Sequence, residues 1–378
     1  MSRSRRRWAR AAVMGIAAAT IGLGLAACGG DDDGGGGGPK VALLLPESKT
    51  TRYEAHDHPE FDAAVKAACS DCEMIYSNAN QDASQQQSQM EAALTDGADV
   101  VVLDPVDSAS AASMVQLAKQ QDVPVVSYDR LILDTPDVAA YVSFDNVRVG
   151  TLQGEALSKK LADDGNPSGP IVRINGAPTD NNAKLFGQGA AAAFSQAGVQ
   201  VAKEYDTPDW SPDQAQTEMD QAITALGKNG FKGVYAMNDG TAGGAIAAME
   251  AAGIDTTTIP TTGQDAELEA VQRILAGTQY MTVYKATRPE AETSAKIAVA
   301  LAKGDPIPTS GLLVQQTKTN NGATDVPSYL LTPQAATKDN IKSVTYGGQP
   351  LIGPNGYWTA DQVCTAQFQS ACQAAGIS

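Results

Sequence analysis

The chain has 378 residues, 43% of them apolar and 19% charged, with 27 Lys and Arg against 43 Asp and Glu; this length supports two ordinary domains. Arg3, Arg5, Arg6, Arg7 and Arg10 are the only charged residues of the first 27, so the remainder is still more acidic, which argues against nucleic acid as a partner. Beyond that segment no apolar run reaches about 20 residues, which excludes a multi-span membrane protein.

Residues 1–27 read as a signal peptide, with a basic start to Arg10 and an apolar stretch from Ala11 to Ala27. Leu25-Ala26-Ala27-Cys28 resembles the lipobox of bacterial lipoproteins, which implies acylation of Cys28 as the first mature residue. Residues 28–39 are nearly all Gly and Asp and have no apolar side chain to bury, so they read as a flexible tether. The expectation is an exported, lipid-anchored body at the outer face of the bacterial cytoplasmic membrane.

Four further cysteines in an exported chain, Cys69, Cys72, Cys364 and Cys372, permit three disulfide connectivities. Local pairs are favoured. Cys69 and Cys72 can meet across a turn, whereas Cys364 and Cys372 would lie about 12 Å apart in an unbroken helix and need a bend between them. Cys69-Ser-Asp-Cys72 is a weaker candidate for redox or zinc chemistry, because no second CxxC exists.

From Lys40 onward, short apolar runs alternate with helical patterns, the signature of parallel sheets covered by helices. The runs are 41–45, 74–77, 98–103, 124–128, 140–144, 171–175, 199–205, 231–237, 259–263 and 281–284. Five precede residue 145 and four more end at Gly263, which predicts two similar α/β halves, each a doubly wound parallel sheet, joined by a multi-strand hinge. The first lobe is assigned residues 40–145 with about 284–318, the second 146–283 with about 319–346. Residues 347–378 form an added tail, with Trp358, Val363 and Phe368 expected to pack onto the body.

In open parallel sheets the ligand crevice lies at the carboxyl ends of the strands. There the sequence places Asp129 and Arg130, Asn182, Asn238, Asp265 and Lys285, with Arg52 and Tyr53 shortly after the first strand and Trp210 in a Pro-rich turn. Planar and charged donors and acceptors can bridge neighbouring hydroxyls while aromatic faces cover C–H surface, a set suited to an uncharged polyhydroxylated ligand. The simpler role of helix cap applies to Asp145, Asn181 and Asp239. No Walker A, G-x-S-x-G or H-E-x-x-H motif is present, so no enzyme, cofactor or metal is expected. His56 and His58 read as solvated rather than metal-ligating, and Asp104 and Asp107 as turn residues rather than a glycosidic carboxylate pair.

The strings Tyr128-Asp129-Arg130, Ser143-Phe144-Asp145-Asn146, Asp180 to Phe186, Asn238-Asp239 with Thr241 to Ile246, Gly263 to Ala266, Met281 to Lys285 and Asp325 to Pro333 resemble the sugar-binding proteins of bacterial ABC importers, type 1 periplasmic binding proteins, and among them the D-xylose binders. The resemblance runs from about residue 41 to about 345. It implies that Arg52, Asp129, Arg130, Asn182, Asn238, Asp265 and Lys285 hydrogen-bond a monosaccharide on which Trp210 stacks. It further implies an ABC permease as partner, a monomer that closes two lobes around the sugar, and no chemistry on it. Tyr53 stands where that group carries Trp, and Gly187 where it carries a basic residue, which leaves other pentoses and hexoses open. The alternative function is a sugar-loaded sensor docking on a membrane receptor or kinase.

Overall fold

The computed structural model describes residues 37–377; the signal peptide, Cys28 and all but the last residues of the tether lie outside them. The first lobe begins with β1 (Lys40–Leu45), α1 (His58–Ala68), β2 (Glu73–Asn78), α2 (Ala83–Thr95), β3 (Val100–Leu103), α3 (Ala112–Lys119), β4 (Val125–Tyr128) and β5 (Val138–Phe144). The chain then enters the second lobe with α4 (Asn146–Asp163), β6 (Ile171–Asn175), α5 (Asn181–Ala197), β7 (Val201–Asp206), α6 (Pro212–Leu226), β8 (Gly233–Ala236), α7 (Asp239–Ala251), α8 (Leu268–Ala276) and β9 (Met281–Tyr284). It returns through α9 (Thr287–Ala302), β10 (Thr317–Asn320) and β11 (Asp325–Leu331), and crosses again into β12 (Gln334–Thr337). The tail adds β13 (Thr345–Tyr346), β14 (Gln349–Pro350), α10 (Ala360–Val363) and α11 (Gln369–Ala375).

The first sheet runs in the order β10-β11-β5-β4-β3-β1-β2, parallel except for β10. Val41 to Leu45 are fully buried, as befits a central parallel strand covered on both faces. The order turns back on itself at β1 and β3, and a crevice opens at such a point. In the second lobe β7-β6-β8 repeats that beginning, while β9 pairs antiparallel with β12. The expected strand at 259–263 is reduced to one bridge, Thr261 beside Val234. Three crossovers, at 144–146, 284–287 and 331–334, join the lobes.

One boundary is corrected. Residues 319–346 were expected in the second lobe, yet β11 pairs in parallel with β5 from Ser328 opposite Tyr141 to Leu331 opposite Phe144. Val326, Tyr329 and Leu331 are buried in the first lobe's core, so β11 covers an edge of β5 that would otherwise expose its backbone. The polar strand β10 (Thr317, Lys318, Thr319, Asn320) then forms the outer edge, where charge discourages further pairing.

Both local disulfides are present, with Cα atoms 5.3 Å apart for Cys69–Cys72 and 5.8 Å for Cys364–Cys372. The bend needed by the second pair lies between α10 and α11. In the tail Trp358 and Val363 are buried with Cys372 and Ile377 against α8 and β9. Phe368 differs from expectation: it sits at the cap of α11, one turn before Cys372, and remains half-exposed.

Candidate functional site

Between the lobes lies a cleft lined by Thr50, Tyr53, Asp129, Arg130, Asp180, Asn182, Phe186, Trp210, Asn238, Gln264, Asp265 and Lys285. Eight of the nine residues singled out in the sequence line it, and the ninth, Arg52, lies directly behind. Arg52 precedes a single π-helical turn, Tyr53–Asp57. Its guanidinium makes a fork with Asp57, Nε and Nη2 each donating at 2.8 Å, and Nη2 also donates to Glu290 at 3.3 Å. Asp129 and Asp265 each stand 3.6 Å away. Arg130 donates from Nη1 to the Pro105 carbonyl at 3.2 Å, and its Nε is 3.1 Å from Asp180. Lys285 is 2.8 Å from Asp265 and lies over the rings of Phe144 and Phe186.

The aromatic residues are equally fixed. The Tyr53 hydroxyl donates to Asp129 at 3.1 Å, with Arg52 and Arg130 over its ring. Trp210 donates from Nε1 to Asp180 at 3.2 Å and meets Phe186 edge-on. Its indole occupies the space beside Gly176, where a Cβ would come within 1.9 Å of Cη2. Gly176→Ala should therefore displace Trp210 from the cleft; we expect about tenfold weaker ligand binding in calorimetry, from overpacking of about 1–3 kcal/mol.

Asp129, Trp210 and Asp265 all have positive φ, at 50°, 53° and 94°. Left-handed backbone costs such residues roughly 1–3 kcal/mol each and is held by surrounding structure, commonly at ligand sites. Two amides serve both cleft and scaffold. Asn238 caps α7, accepting from the Thr241 amide at 2.9 Å, and Asn182 donates to the Asp129 carbonyl across the lobes at 3.1 Å while accepting from Asn146. The lobes also meet through Thr51 N donating to Glu267 and Asn181 N donating to Ser108, at 3.2 and 3.0 Å. The lobes are thus in direct hydrogen-bonded contact around the cleft.

Thr50, Asp180, Phe186 and Gln264 were not among the sequence candidates. Asp180 carries a signal, since it caps α5 through the Asn182 amide at a strand's carboxyl end. Gln264 directly precedes Asp265, but Thr50 and Phe186 have no local signature. Of the three expected caps only Asp145 acts as one, accepting from Arg148 N at 2.9 Å. Asn181 is the first residue of α5, and Asp239 is a buried acceptor for Glu267 N, Gln279 and Thr282. Asp107 does accept from two turn amides, but Asp104 is fully buried 3.6 Å from Arg130. His56 and His58 are not merely solvated, for they stack on Tyr357 and Tyr76. Among the described residues no group of His, Cys, Asp and Glu could hold a metal.

Acid outweighs base around the cleft. Burial pushes the carboxyls of Asp104 and Glu290 well up, and those of Glu47, Asp57 and Asp180 up. Burial acts the same way on Asp129, but Arg52, Lys285 and Arg130 outweigh it and hold that carboxyl below its usual range. Farther out, burial raises both Glu60 and Asp239 to about 7. An acid that binds its proton more tightly when folded favours the folded state at low pH. Stability should accordingly fall as pH rises from about 4 to about 7, in the span between the ordinary values and those of Glu60 and Asp239. Urea melts at pH 5 and pH 8 check this, and Asp239→Asn should flatten the slope.

Residues 41–306 match the family described as periplasmic binding protein domain. The chain is 37% identical over 308 residues to the D-xylose-binding periplasmic protein of Escherichia coli, covering 80% of this chain and 88% of that protein. It is 33% identical to the multiple sugar-binding periplasmic receptor ChvE of Rhizobium radiobacter, covering 74% and 80%. Among solved structures, an ABC transporter solute binding protein from Clostridium phytofermentans with bound β-D-glucose aligns with a TM-score of 0.74 and 30% identity over 86% of this chain and 99% of that one. These relatives are named for what they bind and not for a reaction, in line with the missing catalytic motifs. A two-lobed α/β fold, three crossovers and a polar cleft between the lobes accompany that match, and the chain belongs to the periplasmic binding protein family.

Proposed function

We propose that the chain is a lipid-anchored, extracytoplasmic receptor that closes on one uncharged monosaccharide, D-xylose first among them, and presents it unchanged to an ABC permease. The observation that carries this is the set of unpartnered polar atoms in the cleft and directly behind it. Among the described residues Arg52 Nη1, Asp129 Oδ1 and Gln264 Oε1 are buried without a hydrogen-bond partner. Buried polar groups are costly when unmet, and a ligand able to satisfy both a donor and acceptors at once carries hydroxyls. The surplus of carboxylates over Arg52, Arg130 and Lys285 disfavours an anion, so sugar acids and sugar phosphates should be rejected.

The sugar itself is chosen on likeness, since two D-xylose-binding proteins are 37% identical to the chain. In this reading Tyr53 and Trp210 cover the ring's C–H faces, while Arg52, Asp129, Arg130, Asn182, Asn238, Asp265 and Lys285 engage its hydroxyls. Closure would be stabilised by the sugar's contacts with both lobes. Calorimetric titration with D-xylose, D-glucose, D-xylonate and xylose 5-phosphate tests it. One-to-one binding of D-xylose with recovery of unchanged sugar is expected, and binding of only an anion would overturn the reading. D-glucose binding in preference to D-xylose would replace the sugar but keep the class.

A further inference from the structure

The tail touches, on each lobe, a segment that carries cleft residues. On the first lobe, the Tyr357 ring stacks on His56, centroids 3.8 Å apart and planes within 15°. His56 lies inside the π-helical turn that carries Tyr53 and ends at Asp57, the residue gripping Arg52. Trp358 meets the same imidazole edge-on at 4.5 Å. On the second lobe, Trp358 Nε1 donates at 2.8 Å to the carbonyl of Ala266. Ala266 and Asp265 are consecutive left-handed residues, with φ of 54° and 94°. A second strap runs through Gln349, whose side chain donates to Glu60 at 2.9 Å and accepts from Arg288 N, and whose carbonyl accepts from the Tyr284 hydroxyl.

We propose that Tyr357 and Trp358 are positioning residues for the ligand, holding the Arg52–Asp57 turn and the Asp265–Ala266 pair in their binding geometry while touching no ligand themselves. This rests on the reading of the cleft as a sugar site and extends it to the tail. A π-helical turn and two adjacent non-glycine residues of positive φ are both conformations that surrounding structure must maintain. One aromatic pair braces both. Burial, with Arg52 and Arg288 nearby, holds the His56 imidazole down at about 3, so the ring is neutral and the contact is a stack rather than an ion pair. The Tyr357 hydroxyl is buried without a partner among the described residues, so the ring, and not the phenol oxygen, makes the contact that matters.

The test uses the full chain with Tyr357→Ala, Tyr357→Phe and Trp358→Phe. Amide hydrogen exchange without sugar should be at least tenfold faster over 54–58 in Tyr357→Ala and over 265–267 in Trp358→Phe, with Tyr357→Phe matching the unaltered chain. D-xylose affinity should fall at least tenfold in Tyr357→Ala and be restored in Tyr357→Phe. Unchanged exchange in both segments, or equal impairment by Tyr357→Phe and Tyr357→Ala, would overturn the proposal. If the unaltered chain binds no sugar of the panel, the sugar reading fails and the exchange measurements still decide whether the tail braces the two segments. Should Tyr357→Ala not fold, Trp358→Phe carries the test through the Ala266 segment.

Discussion

Replacing Asp265 with Ala should weaken sugar binding by about 3 kcal/mol, on the order of a hundredfold, with the fold retained. Its carboxylate is 2.8 Å from Lys285 Nζ and 3.6 Å from Arg52 Nη1. Removing it takes a charge partner from two buried cations and an acceptor from the ligand, and the unmet groups left behind make up much of the loss. Most of the effect should appear as faster dissociation, because truncating one partner of a buried, hydrogen-bonded charge pair acts on the off-rate. Stopped-flow measurement of sugar release checks this. Near-normal affinity in Asp265→Ala would remove the residue from the site.

Arg52→Met should instead strike the fold. Arg52 is the hub of four carboxylates, Asp57, Asp129, Asp265 and Glu290, and is 1% exposed. Breaking a buried pair by removing one partner typically costs about 3–5 kcal/mol, since the remaining charge has no water to return to. The loss should be smaller at low pH, where burial already favours the protonated forms of Asp57 and Glu290. Urea unfolding at pH 5 and pH 8 measures both the cost and its pH dependence. Equal destabilisation at the two pH values would mean that packing, and not charge, makes Arg52 important.

The sequence by itself determined the parts of this protein that depend on local chemistry. Val41 to Leu45 and most of the later apolar runs read as strands of parallel sheets, although 259–263 keeps one bridge and 281–284 pairs antiparallel, and Asp129, Arg130, Asn238, Asp265 and Lys285 follow these runs so closely that a doubly wound sheet brings them to one edge. Local pairing was the preferred one of three connectivities, with Cys69 and Cys72 able to meet across Ser70-Asp71, but the bend that lets Cys364 reach Cys372 comes only with the packed tail. The tertiary structure decided what depends on residues far apart in the chain. Asp104 reads as a turn acid until Arg130 is seen beside it, and His56 as a solvated residue until Tyr357, 301 positions later, stacks on its ring. Strand β11 joins the first sheet instead of the second because the open edge of β5 can pair its backbone and take its apolar face, a choice that its own composition leaves equal between the lobes. Thr50 and Phe186 belong to the cleft only because the two lobes pack around it. Local propensity and strand-end position are written in neighbouring residues, whereas burial, charge compensation and edge pairing are properties of the packed whole.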